Sequence, residues 1–119
     1  MLERGYLIEV ERAHGLPTGV RQEPRKSAAG WEFRDVVYVA FGLVVELDGR
    51  TFHTGKRARD TDMERDLDDL VARRDTARLG HAQVFNTPCQ TAAKVAVLLH
   101  QRGWTGTPVR CGPGCQLEP

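Results

Sequence analysis

The stretch that decides the fold is WEFRDVVYVAFGLVVELDGRTFH, residues 31–53. It contains two β-rich runs, Val36–Ala40 and Leu43–Leu47, with only Phe41 and Gly42 between them. A break that short joins two strands only through a tight hairpin turn. Apolar side chains occupy both faces of this predicted strand pair, which is typical of strands that are covered on both sides. We therefore expect the hairpin to lie inside a sheet.

Three carboxylates lie at the open end of the predicted hairpin. Asp35 opens the first strand, and Glu46 and Asp48 close the second. With the turn centred between residues 40 and 41, Asp35 faces Glu46 across the pair, and the two-residue period puts Asp48 on the same face. At about 4 Å and an effective dielectric near 20, each like-charge pair costs roughly 4 kcal/mol, which a divalent metal would remove. The alternative is that these acids are solvated strand ends, and a slip of one residue would put Asp35 and Glu46 on opposite faces.

Length and composition predict one domain without a membrane segment. The chain has 119 residues, a net charge of +1 and three cysteines. The net charge gives no overall signature of nucleic-acid binding, and no apolar run is long enough to cross a membrane. The charged first segment does not resemble a signal peptide, and an odd number of cysteines favours a reducing compartment. We expect a cytoplasmic domain, and its start directly on a helix is compatible with a further N-terminal domain in a longer protein.

Helical and extended segments precede the hairpin. Leu2–His14 has apolar residues at helical spacing and is followed by Gly-Leu-Pro, which predicts a helix and its end. Thr18–Gln22 predicts a short strand, and the small and polar stretch Glu23–Gly30 predicts a loop.

The second half of the chain predicts a helix, a strand and a final helix. The first of these helices runs from about Asp62 to Arg78, after a capping box at its start. Its predicted apolar stripe consists of Met63, Leu67, Leu70 and Val71. His81–Phe85 predicts a strand, and Pro88–Arg102 predicts a core helix with proline in its first turn. The order α-β-β-β-α-β-α indicates an α/β sandwich with a mixed central sheet and helices on both faces.

Short motifs along nearly the whole chain carry a resemblance to a known family. They are Leu2-Glu3, His14-Gly15-Leu16-Pro17, Arg21-Gln22, Asp35, Glu46-Leu47-Asp48-Gly49, His53, Arg65-Asp66, Gly103-Trp104-Thr105-Gly106 and Cys111-Gly112-Pro113-Gly114-Cys115. The sequence resembles the very-short-patch-repair-like endonuclease domains of actinobacterial type, in the PD-(D/E)XK nuclease superfamily. The resemblance implies a restriction-endonuclease-like fold for residues 1–103 and an irregular, cysteine-containing tail over residues 104–119.

The resemblance implies metal-dependent hydrolysis of nucleic-acid phosphodiester bonds, with DNA as the expected substrate. Asp35 and Glu46 would hold Mg²⁺ or Mn²⁺, and Glu3 matches an acid that the superfamily often places beside that metal. Hard carboxylate oxygens suit Mg²⁺, which can activate a bound water as the nucleophile. The imidazole of His53 would act as general acid or base.

Basic residues that follow the hairpin predict contacts with phosphate groups. These residues are Lys56, Arg57, Arg59 and Arg65. Phosphate contacts position a nucleic acid without reading its sequence. The alternative is a solvated helix start, in which the arginines pair with Asp60, Asp62 and Asp66.

The sequence departs from the superfamily pattern in two places. Asp48 stands where the superfamily has the lysine that orients the attacking water, and a basic residue that relatives often carry near residues 84–86 is missing. Either Asp48 is an additional metal ligand and a nearby basic residue handles the proton, or the site no longer cuts. The competing functions are therefore an inactive nuclease-fold domain that binds nucleic acid, and a structural or interaction domain of a larger toxin–antitoxin or DNA-processing protein.

The three cysteines permit a second metal site. Cys111 and Cys115 have a spacing that zinc sites allow, but two ligands do not complete a site. The tail is long enough to run back to Cys89, since extended chain covers about 3.3 Å per residue. A structural zinc ion on these three cysteines competes with free thiols and with a disulfide. His14, His81 and His100 belong to no metal-ligand or catalytic motif, and we interpret them as structural or exposed.

Overall fold

The centre of the protein is a four-stranded mixed sheet in which the predicted hairpin supplies both inner strands. A computed structural model describes residues 1–27, 30–48 and 56–117. Its elements are α1 (Leu2–Gly5, continued as a π-helix over Tyr6–Arg12), β1 (Val20–Ser27), β2 (Gly30–Tyr38), a 3₁₀ turn (Val39–Phe41), β3 (Leu43–Leu47), α2 (Lys56–Val71), β4 (Asp75–Leu79), a π-helical turn (Ala82–Asn86) and α3 (Pro88–Gln101). The mixed α/β architecture agrees with the prediction from the sequence.

The register of the inner hairpin is the predicted one. Val36 pairs with Val45 and Tyr38 with Leu43, so one further step toward the open end would set Asp35 against Glu46. The chain turns through the 3₁₀ segment and Gly42, whose φ of +62° lies in the left-handed region. A Cβ atom on Gly42 would also lie 2.8 Å from the carbonyl oxygen of Arg73, so this position requires glycine.

The outer strand β1 is longer than the sequence predicts. It pairs antiparallel with β2 from Val20, opposite Val37, to Ser27, opposite Gly30. The predicted loop over Glu23–Gly30 is therefore wrong, because residues up to Ser27 continue the strand. The polar residues of this stretch adopt extended structure because β2 begins at Gly30 and gives β1 a hydrogen-bonding partner along its whole length.

The order of elements after the hairpin also corrects the prediction. α2 begins and ends earlier than predicted. The segment Asp75–Leu79, which the sequence predicted as helix as far as Arg78, forms β4 parallel to β3. The helix ends because Arg73 adopts a left-handed φ of +60°, after which the amide of Asp75 donates to the Gly42 carbonyl oxygen at 2.9 Å. His81–Phe85, predicted as a strand, lies in a helical turn.

One face of the sheet holds the main apolar core. The residues at its centre are Tyr6, Val10, Val36, Tyr38, Leu43, Val45, Val84, Val95 and Leu99. They come from α1, the inner strands, the π-helical turn and α3, so these helical segments cover the same face. A buried polar chain runs through this layer: the Tyr6 and Tyr38 hydroxyls lie 2.8 Å apart, and the Tyr38 hydroxyl donates to Glu11 at 3.0 Å.

The contacts of α2 with the sheet are polar, which contradicts the predicted apolar stripe. The four residues of that stripe are each more than half exposed. Among the α2 side chains that the structure describes, the buried one is instead Asp69, which binds Arg34 of β2 and Thr76 of β4. The physical reason is that Arg34 is only 1% exposed, and a buried charge is costly unless a group of opposite charge pairs with it. A carboxylate of α2 therefore faces the sheet at this point.

The tail after α3 packs back on the helices without regular secondary structure. The Val109 amide donates to the His14 carbonyl oxygen at 2.8 Å, and Leu117 is buried in the main core. None of the helices in the described ranges combines the length and apolar character that a membrane crossing requires.

Candidate functional site

The open end of the inner hairpin brings Asp35 and Glu46 together. Asp35 Oδ2 accepts a hydrogen bond of 2.7 Å from the backbone amide of Leu47, the residue next to Glu46. The Asp35 carboxyl lies close enough to Glu46 for its negative charge to raise the pKa of the Glu46 carboxyl. The hairpin register thus produces the close pair of acids that the sequence predicts.

Arginine side chains already contact the Glu46 carboxyl of this acidic pair. Glu46 Oε1 accepts from Arg34 at 3.3 Å and from Arg65 at 3.2 Å. Arg34 also donates to Asp69 at 2.9 Å, and both Arg34 and Asp69 are buried. We call Arg34, Asp35, Glu46, Arg65 and Asp69 the acid–arginine network.

Burial makes Glu46 harder to ionise than an ordinary glutamate. Desolvation raises the pKa of its carboxyl to about 7, and the neighbouring Asp35 carboxyl acts in the same direction. The Arg65 and Arg34 guanidinium groups oppose this shift but do not cancel it. Titratable groups with strongly shifted pKa values are common at functional sites, and also in structural ion-pair networks.

The other predicted members of the acidic site are distributed differently. Glu3 accepts a hydrogen bond from the side chain of Gln22 on β1. His53 lies outside the described residues, and Lys56, Arg57 and Arg59 begin α2 with side chains that also lie outside the description. Of the predicted phosphate contacts, Arg65 is the one that the structure places, and it lies against Glu46.

The described residues contain one cluster of three or more metal-ligand side chains, and it is not the carboxylate group. It consists of His14, Cys89, Cys111 and Cys115, whose ligand atoms all lie within 4.8 Å of one another. The sequence predicted that Asp48 would join Asp35 and Glu46, but these three carboxylates do not form a cluster of this size. We call the four residues the thiol–imidazole cluster; its side chains could hold a metal ion.

Three separate segments position this cluster. His14 follows α1, and Cys89 is the second residue of α3, directly after Pro88. Cys111 and Cys115 bracket a tight turn in the tail, where the Cys115 amide donates to the Gly112 carbonyl oxygen at 3.1 Å. The tail itself is held by contacts such as the Gln90–Gln116 hydrogen bond of 2.9 Å.

The three thiols are in mutual contact but are not bonded to one another. The Cys89 sulfur lies 3.6 Å from that of Cys111 and 3.2 Å from that of Cys115, and all three cysteines are free. Burial opposes ionisation of Cys115, but the amides of Cys111 and Leu117 and the neighbouring thiols outweigh it and lower the pKa of Cys115 to about 6. Hydrogen bonds with the other two thiols raise the pKa of Cys111 to about 11.

His14 is the functional candidate that the sequence does not identify. Its side chain is fully buried, and its Nδ1 lies 3.0 Å from the Val10 carbonyl oxygen. Its Nε2 is buried without a hydrogen-bond partner. His14 is too far from the cysteines in sequence for a spacing motif, and the available signal was indirect: three cysteines need a fourth ligand, and the chain has four histidines.

The other two histidines in the described part of the chain, His81 and His100, differ from His14 in their surroundings. His81 stacks at an angle on Phe85, and His100 stacks on Trp104 and contacts the Gly106 carbonyl oxygen. Both are exposed.

Comparison of the chain with protein-family models, with curated proteins and with solved structures found no match.

Proposed function

We propose that this protein is a restriction-endonuclease-like domain that hydrolyses nucleic-acid phosphodiester bonds, with DNA as the substrate and Mg²⁺ or Mn²⁺ as the cofactor. The observation that carries the proposal is the position of Asp35 and Glu46 as neighbours at the end of the inner strand pair: they directly follow the Val36–Val45 pair, and Asp35 accepts a hydrogen bond from the amide of Leu47. The order of elements gives further support, because three antiparallel strands are followed by α2 and a parallel fourth strand.

In this proposal Asp35 and Glu46 hold the divalent metal, which would activate a water and neutralise charge on the phosphate. Glu46 must lose its proton and exchange its Arg34 and Arg65 contacts before it can serve as a ligand. Asp48 and Glu3 are further ligand candidates, and His53 would move the proton. Lys56, Arg57, Arg59 and Arg65 would bind phosphate groups along the nucleic acid.

A second candidate function is an inactive nuclease-fold domain that binds nucleic acid. The observation that favours it is the pairing of Glu46 with two arginines, which supplies the positive charge that a metal would otherwise supply. Asp48 at the position of the superfamily lysine points in the same direction. In this case Arg65 would have to exchange Glu46 for a phosphate, a change that nucleic-acid binding could drive.

The test is a cleavage assay on supercoiled, linear and single-stranded DNA with Mg²⁺, Mn²⁺ or a chelator. We expect metal-dependent cleavage that Asp35→Ala and Glu46→Ala each abolish. Glu23→Ala is the matched control, because it also removes an ion-paired acid from the sheet, the partner of Arg74. Cleavage that survives chelator and Asp35→Ala would refute the nuclease proposal, and binding of DNA without cleavage by the wild type would select the second candidate.

Two further parts of the proposal concern the cysteines. A structural zinc ion on Cys89, Cys111 and Cys115 would be a second metal, separate from the catalytic one. The three unbridged thiols also fit a reducing compartment, and we propose the cytoplasm as the location.

A further inference from the structure

We propose that His14 completes a closed, four-coordinate zinc site with Cys89, Cys111 and Cys115, and that this site fixes the tail to α1 and α3. The proposal rests on the thiol–imidazole cluster alone, and it holds whether or not the acid–arginine network supports catalysis.

The sulfur positions fit a zinc site better than a disulfide. A tetrahedral ion with Zn–S bonds of about 2.3 Å separates its sulfur ligands by about 3.8 Å. The Cys89 sulfur lies 3.6 Å from the sulfur of Cys111 and 3.2 Å from that of Cys115. A disulfide would require about 2.05 Å, and a disulfide between any two of these cysteines would leave the third thiol and His14 without a role.

The orientation of His14 supplies the strongest argument. A carbonyl oxygen can only accept, so the contact with Val10 places the proton of the neutral ring on Nδ1 and leaves a lone pair on Nε2. Zinc-binding histidines usually donate their second nitrogen to a backbone carbonyl or a carboxylate in this way. The Nε2 atom is buried and has no hydrogen-bond partner, and one ring nitrogen of His14 lies within 4.8 Å of the three sulfur atoms. Because Nδ1 is occupied by the Val10 carbonyl oxygen, we assign Nε2 as the metal ligand.

The donor set selects the class of ion and its role. Three thiolates and one imidazole suit zinc, whereas Mg²⁺ and Mn²⁺ prefer oxygen ligands. Four protein ligands leave no open position for water or substrate, so the ion would be structural. The amide of Leu117, 3.4 Å from the Cys115 sulfur, would stabilise the charge of a bound thiolate.

The site would join three parts of the chain that are distant in sequence. His14 follows α1, Cys89 begins α3, and the other two ligands belong to the tail. The backbone contact between Val109 and His14 and the burial of Leu117 already bring the tail into position. A bound ion would add four metal–ligand bonds that hold the tail to α1 and α3.

The experiment measures metal content and affinity, without any assay of activity. The full chain, purified under reducing conditions, is stripped with a strong chelator and titrated with zinc or cobalt in competition with an indicator. We expect one zinc ion per chain and the absorption of tetrahedral cobalt bound to thiolates. His14→Gln and Cys111→Ser should each weaken zinc binding at least tenfold, whereas the matched control His81→Gln should leave it unchanged.

Cys111→Ser keeps the test valid if His14→Gln fails to fold. Cys111 is exposed, so we expect its substitution to leave the fold intact. The proposal is overturned if the wild type binds no zinc after reduction. It is also overturned if mass spectrometry of the native protein shows a disulfide, or if Cys111→Ser binds zinc as tightly as the wild type. A cobalt spectrum and zinc affinity unchanged in a folded His14→Gln variant would remove His14 from the site.

Discussion

The acid–arginine network and the thiol–imidazole cluster both gather residues that bind metals, but they differ in what compensates them. In the network, Arg34 and Arg65 donate directly to Glu46. In the cluster, the described hydrogen bonds to the sulfurs come from other thiols and from backbone amides, and His14 Nε2 is buried without a hydrogen-bond partner. The comparison teaches that a metal ion entering the network must displace protein cations from Glu46, whereas the described contacts of the cluster include no cationic side chain that an ion would have to displace.

The largest expected effect tests the network as a structural unit. Arg34→Ala removes the cation that binds the buried Asp69 carboxylate and one of the two arginines that bind Glu46, and breaking a buried ion pair in this way costs about 3–5 kcal/mol. Urea denaturation measures the free energy of unfolding. The control Arg74→Ala removes a half-exposed partner of Glu23 and should cost at most about 1 kcal/mol. Equal losses in the two variants would show that the network is not a special stabilising unit.

The next effect tests the cluster by ligand addition. Zinc at a thousandfold excess over its dissociation constant should raise the free energy of unfolding by about 4 kcal/mol, because only the folded chain assembles all four ligands. Cys115→Ser should abolish this increase, and Mg²⁺ at the same concentration should not produce it. If Mg²⁺ stabilises the wild type while zinc does not, the acidic pair and not the cluster is the metal site.

The smallest effect concerns the protonation of Glu46. Its pKa is raised from 4.5 to about 7 by folding, so the folded state binds the extra proton between these values. The stability that this group contributes is therefore fully present below pH 4.5 and is lost as the pH rises through 7. One pKa unit corresponds to about 1.4 kcal/mol, so we expect Glu46→Gln to remove a decline of at most about 3 kcal/mol from the pH dependence of the free energy of unfolding. A profile with the same slope in both proteins would contradict the raised pKa.

The sequence was sufficient to predict the inner hairpin because its information is local. Two valine-rich runs with two residues between them leave few registers, and the predicted one places Asp35 beside Glu46. The ends of α2 and the position of β4 were not predictable in this way. Asp75–Leu79 is an outer strand with no alternation of apolar and polar residues. The left-handed conformation that ends α2 occurs at Arg73, whereas glycine is the residue type that usually indicates such a helix end.

The errors in side-chain placement come from contacts between distant residues. The apolar stripe of α2 is exposed because the buried Arg34, on another element, draws Asp69 toward the sheet. His14 was assigned no role because its partners lie on α3 and the tail. Local periodicity cannot reveal either arrangement, since each depends on which elements meet in the folded chain.

The thiol–imidazole cluster also bears on the order in which the protein can be completed during translation. His14 leaves the ribosome early, whereas Cys111 and Cys115 follow only after every strand and α3 have been synthesised. The nascent sheet can pair before its tail exists, but the cluster cannot close until then. A chain truncated between α3 and Cys111 would therefore keep all the described strands but lack two of the four cluster residues, so its sheet could form while the cluster could not close.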